Sequence, residues 1–456
     1  MKRFDWRWLA VNSLLMFTLA ARAETRPQYG GTLRVAMRAA PTSLDPVETQ
    51  ADSFARRNLT LLIFDALVTT DDSGRARAAL ATSWQASPTN QRWQFHLRRG
   101  VKFHDGTVLT PEVVAASLRA ANPAWNVSTD GESVVIERDI ADPEMLAELA
   151  LPRNAIAKRT ADGNPSGTGP FHIVDWQPGK RLTLAADEGY WRGRPFLDGL
   201  EIEMGRSFRD QMTALELGRT DLVEVAPEQA HRVSLDARRL ANSAPVELVA
   251  LLFTHDARTP DERSLREALA WSVERGSIRS VLLQGAGQPA ASVLPNWMSG
   301  YGFVFSTNAD LAHARHAREQ VRNIPTWTVG YDSGDAVGRL LAERIALNAR
   351  DAGLSLQPTS AATADFRLVR ISLASSDAWI ALAGVATFAG LPAPKNEGGS
   401  VETLYAAEQA VLAAQRIIPL FHLPVTYATS ATLKSWTLRA DGNWNLADAW
   451  LGNGKP

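Results

Sequence analysis

Several residues in this 456-residue chain have types and spacings that could do chemistry. His104 and Asp105 stand side by side before Gly106, which would suit a metal or an acid/base site if further ligands converged there. His313 and His316 lie at i and i+3 on an expected helix, a ligand-compatible spacing, yet no third ligand can be named for them. A second set suits binding rather than catalysis. Asp377 can pair with a ligand ammonium, Trp379 and Trp297 can wall an aromatic pocket, and Arg370 can take a carboxylate in a bidentate fork. The turn Thr42-Ser43 after the first expected strand reads either as a plain turn or, if the fold faces it to a cleft, as a source of hydroxyls and backbone groups for an extended ligand.

Enzyme signatures are missing. There is no nucleophile elbow, no metalloprotease helix motif and no phosphate loop, since GTGP at 167–170 lacks the Gly-Lys-Thr/Ser ending. With no cysteine, disulfides, thiolate ligands and a cysteine nucleophile are excluded. No catalytic residue, metal or cofactor is expected.

The elements around these residues decide what they are for. Thr110, Pro111 and Glu112 supply an N-cap, a first-turn proline and a first-turn acid, so a helix starts there with Val113, Val114 and Leu118 on its buried face. His104-Asp105-Gly106 then falls on the turn between a strand and that helix, where Asp-Gly is ordinary turn chemistry, and it reads as architecture. Asp377, behind Ser375-Ser376 and before an apolar run, has the alternative of capping a helix.

Strands alternating apolar and polar residues (TLRVAM, RWQFHL, FHIVDW) interleave with helix patterns such as SLREALAWSVERG and VGRLLAERIALNARDAGL, which makes the chain α/β. The Ala/Gly-rich ALAGVATFAGLPAPKNEGG reads as a loosely packed connection. Hydrophobic residues make up 45% of the chain, enough for large cores, and the length suggests about three units of about 150 residues. Lys and Arg total 48 against 49 Asp and Glu, with no run of five like charges, so no nucleic-acid or polybasic membrane footprint is expected.

Residues 1–23 begin with Lys2, Arg3 and Arg7, continue through an apolar stretch and reach Ala21-Arg22-Ala23, which reads as a secretory signal cleaved after Ala23. The absence of a cysteine behind it leaves no lipid anchor, so the expected location is free in the periplasm.

YGGTLRVA, TSLDP, RWQFHLRRGVKFHDGTVLTPEVV, GTGPF, YWRGRPFLDGLEIE and RSLREALAWSVERGSI together resemble the extracytoplasmic solute-binding proteins of family 5, the peptide, nickel and opine group served by ATP-binding-cassette transporters. The resemblance implies a two-lobe periplasmic binding fold (type II, cluster C-like) with mixed sheets, a hinge and an extra domain inserted in the first lobe. On this chain the first lobe would be residues 24–44, 166–245 and 421–456, the insert 45–165, and the second lobe 246–420.

The implied function is capture of a short peptide or peptide-like solute between the lobes, by closure, for the permease of an importer, by a monomer. A nickel-chelate, opine or other small-molecule carrier, or a periplasmic sensor without a transporter, is the alternative. Two departures matter: many members carry a segment like Trp-x-x-Asp-x-x-Asp-Pro that meets the ligand's amino group, whereas this chain has only Asp377 and Trp379 there, and Thr254 stands where the family often has Asn.

Overall fold

A computed structural model describes residues 26–48, 53–71, 73–159, 165–235, 239–373, 375–396, 399–446 and 448–452. The expected signal, residues 1–23, lies outside the described residues.

One sheet of 11 strands runs through both lobes. On one side, Phe171–Gln177, Arg181–Ala186, Gly199–Glu203, Thr32–Ala36 and Leu222–Val225 follow one another; on the other, Phe366–Ser372, Thr326–Gly330 and Ser355–Thr359 do. Two long strands between them, Arg239–Phe253 and Ile417–Thr429, belong to both halves. Arg239 to Asn242 oppose Thr426 to Thr429, while Glu247 to Leu252 oppose Ile417 to Leu423, with register shifts around Pro245. Neither Pro245 nor Pro424 can donate a ladder hydrogen bond, so the ladder is weakest where the sheet passes from one lobe to the other.

The cores follow this division. Leu33, Val35, Phe171, Leu200, Leu222 and Tyr427 lie in the first lobe's core, and Val249, Phe253, Leu269, Val329, Phe366 and Phe421 in the second's. The insert has its own core, with Trp93, Phe95, Phe103, Leu118 and Ile136 packed around a four-stranded sheet. Packing places two segments differently from the sequence boundaries. The helix Phe54–Ile63, expected in the insert, buries Leu59, Leu62 and Ile63 in the first lobe's core. Phe421 and Leu423, expected in the first lobe, pack in the second, and the strand changes lobes only at Pro424.

GTGPF works by close approach. Gly169 N donates to Ile63 O at 2.9 Å, and a Cβ on Gly167 would lie 1.9 Å from that same carbonyl, so only a residue without a side chain fits. His104 seals the contact, its N donating to Gly167 O and its Nε2 bonding Gly169 O, each at 2.9 Å. Burial holds the His104 pKa below its ordinary value, and Asp105 pairs with Lys158 at 2.7 Å. The pair is architecture, as its turn position implies.

The first part of the stretch read as a loose connection, Ala381 to Phe388, instead forms the body of a helix, Ala378–Phe388, with Ile380, Ala381, Leu382, Val385 and Ala386 buried, while Leu391 to Asn396 carry no regular structure. Packing outweighs the weak helix propensity of Gly384 inside it. No helix of the described residues is long and apolar enough to cross a membrane.

Candidate functional site

Both lobes present the carboxyl ends of parallel strands to a common cavity, the usual place for a ligand in such sheets. In the first lobe, Thr32–Ala36 runs parallel to Leu222–Val225, which brings Arg38, just past the end of the first strand, beside Glu224, near the end of the second. In the second, Thr326–Gly330 runs parallel to Phe366–Ser372, and Asp332, Asp335 and Arg370 gather there. Pro424 to Tyr427, on the strand shared by the lobes, form the floor. The cavity measures about 360 Å³.

Its charges are largely fixed by one another. Arg370 Nη1 lies 2.9 Å from Glu247 Oε2 and its Nε lies 3.1 Å from Asp335 Oδ2. Burial works against its charge, but the two carboxylates outweigh that and hold its pKa above the ordinary value. Asp335 is also an N-cap, its Oδ1 accepting from Val337 N and Gly338 N at the start of Ala336–Asp351. Glu224 accepts from Arg38 N at 2.6 Å and from Gln211 Nε2 at 3.3 Å. Burial pushes its carboxyl above the usual range, against the pull of these bonds and of the Arg38 charge. Arg38 reaches across to Asp332 at 3.8 Å, a contact between exposed ends.

A wider crevice of about 670 Å³ lies between the insert and the second lobe, lined by Trp125, Arg138, Asp142 and Glu144 on one side and Trp379, Ile380 and Asn396 on the other. Asn396 Nδ2 donates to Glu144 Oε1 across it. Burial raises the Glu144 pKa, and the Asp377 charge adds to the rise.

The seven residues singled out in the sequence do not converge. Arg370 lines the interlobe cavity, but its guanidinium is taken by Glu247 and Asp335. Asp377 caps the helix Ala378–Phe388 through Trp379 N and Ile380 N, at 3.0 and 3.1 Å. Trp379 lines the insert crevice. Trp297, 41% exposed, donates Nε1 to Pro245 O at 2.8 Å, where the lobes join. Thr254 bonds Asp365 O at the far end of its strand, through both its N and its Oγ1, away from the cavity. Thr42 and Ser43 line a separate crevice against the insert, beside His104, Arg159 and His172.

Sequence reading missed Arg38, Glu224, Glu247 and Asp335. One signal was available: Glu224 interrupts the apolar strand Leu222–Val225, and Glu247 stands at the head of the apolar run from Leu248 to Phe253. Among the described residues no group of three or more His, Asp or Glu could hold a metal ion.

Residues 75–368 match the family described as bacterial extracellular solute-binding proteins, family 5. The nickel-binding protein of Staphylococcus aureus is 27% identical over 243 residues, which is 50% of this chain and 49% of that protein. The chain spans about half the length of the curated relatives it matches. Among solved structures, the dipeptide-binding protein of Pseudoalteromonas sp. SM9913 in complex with Met-Leu superposes with a TM-score of 0.79 at 17% identity, covering 92% of this chain and 100% of that one. The periplasmic binding protein of A. tumefaciens R10 in complex with agropinic acid gives 0.78 at 20% identity, covering 93% and 99%. These two likenesses establish the two-lobe binding-protein fold.

Proposed function

The chain belongs to the bacterial extracellular solute-binding proteins of family 5, and from that membership we propose that it is the periplasmic binding component of an ATP-driven importer. It captures a short peptide or peptide-like solute between its lobes and presents the closed form to a permease. The first lobe, its insert and the second lobe are the units that move. The chain acts as a monomer, without catalysis, and is exported by a signal removed after Ala23, with no lipid anchor.

The observation that carries this reading is the cavity at the lobe junction, to which each lobe brings charged side chains at the ends of parallel strands. A solute touching both walls gains contacts in the closed form that the open form lacks, and this difference is what shifts the population toward closure. The 360 Å³ volume suits a molecule of dipeptide size better than a long peptide. An opine is the second reading, favoured by the fold match to the agropinic acid complex.

The test is a thermal-shift screen of the processed protein, freed of bound solute by partial unfolding, against di- to pentapeptides, opines, nickel chelates and sugars. A ligand at 100 times its Kd should add about 2.7 kcal/mol and raise Tm by several degrees. Shifts with dipeptides or opines support the proposal; silence across all four classes overturns it.

A further inference from the structure

The charge on Glu224 is not required by the fold. Its two hydrogen bonds come from Arg38 N and Gln211 Nε2, and a neutral amide oxygen would accept both. No cation among the described residues lies within ion-pair distance of it, whereas Glu247 and Asp335 share the Arg370 guanidinium. A carboxylate held in a half-buried site without a paired cation is costly, which makes it a functional candidate.

Arg38 is its complement. It emerges from the adjoining parallel strand, its guanidinium lies over the Phe208 ring at 5.5 Å, and its nearest acid is Asp332, 3.8 Å away on the opposite wall. That long contact between exposed groups is weak and readily exchanged for a ligand carboxylate.

Resting on the solute-capture reading, we propose that Glu224 binds a cationic nitrogen of the solute and Arg38 its carboxylate, so that the first lobe alone recognises a zwitterion. The remaining acids of the cavity do not compete for the cation. Glu247 and Asp335 each already bind the Arg370 guanidinium, and Asp332 is solvent-exposed. Asp377, the acid that the resemblance would nominate, is occupied as a helix cap.

The experiment is calorimetry of the wild type, Glu224→Gln and Arg38→Met with the dipeptides and opines of the screen, each also as its N-acetyl and C-amide derivative. N-acetylation should weaken binding to the wild type about tenfold or more, and Glu224→Gln should weaken the free form by a similar factor while leaving the N-acetyl form unaffected. Arg38→Met should abolish the discrimination against the amide in the same way.

Equal affinity of the wild type and Glu224→Gln for the free form overturns the inference while leaving solute capture intact. Failure of the wild type to bind any of the probes overturns both. The comparison of acetylated and free ligands on the wild type needs no variant: an unchanged Kd on acetylation also refutes the assignment.

Discussion

The carboxylate of Asp335 holds Arg370 and caps a helix at once: Oδ2 accepts from the guanidinium at 3.1 Å, and Oδ1 accepts from Val337 N and Gly338 N at the head of Ala336–Asp351. The cavity wall and the helix behind it are therefore one mechanical unit.

Removing Arg370 should be felt as lost stability. Arg370→Met leaves Glu247 and Asp335 facing each other without their cation, and breaking such a pair from one side costs about 3–5 kcal/mol. Arg370→Lys should recover little of this, because an ammonium cannot reproduce the fork that serves both carboxylates. Urea unfolding at constant pH measures both, and a loss under about 1 kcal/mol for the Met variant would contradict the buried-pair description.

Glu224 should make the protein less stable as pH rises. Its folded carboxyl sits above the ordinary 4.5, so the folded state holds the proton more tightly than the unfolded chain. Stability then falls as pH climbs from the ordinary value through the folded one, and the penalty is complete above it. The groups facing it are Arg38, Gln211, Glu247 and Tyr427. Glu224→Gln should match the wild type in Tm at low pH and exceed it at pH 7. A lower Tm at pH 7 would show the charge to be stabilising and count against a binding role.

Asp377 should behave as a cap. Asp377→Ala removes the acceptor for Trp379 N and Ile380 N and should cost about 1 kcal/mol, whereas Asp377→Asn, an equally good cap, should cost almost nothing. Denaturant midpoints of the two variants separate this from a role for the charge, in which case both substitutions would act alike.

Asp65 ties the insert to the first lobe. Its carboxylate receives Trp191 Nε1 at 2.8 Å, Tyr190 OH at 3.2 Å and Thr168 Oγ1 at 3.1 Å, although burial raises its pKa. Asp65→Ala strands these donors at about 1–3 kcal/mol for each one left unsatisfied, and should raise amide exchange first at this junction. Uniform acceleration across the second lobe would argue against such a local tie.

The alternation in TLRVAM and FHIVDW, the Thr110-Pro111 cap and the strand-turn-strand around Tyr190-Trp191 were legible because each is a local pattern, and local patterns decide local structure. His104 was assigned to architecture for the same reason. The cavity was harder to read. Arg38 and Glu224 are 186 positions apart and meet only because two parallel strands end side by side. Asp377 and Thr254 were drawn toward the site by the resemblance, and the structure gives both local duties instead. The cap at Asp377 was legible, but the helix body from Ala381 to Phe388 was not, because, nearly all apolar, it lacks a polar face to betray its period.

The strand Ile417–Thr429 also bears on how the protein is made. It follows every other strand of the large sheet in the chain, yet lies at its centre, paired with Leu222–Val225 on one edge and Arg239–Phe253 on the other. During synthesis neither lobe can complete its share of that sheet until this strand emerges, and contacts of such long sequence separation form slowly. The two-lobe form is thus gained only once the last central strand is delivered, whereas the insert, with a core and a sheet of its own, does not wait for it.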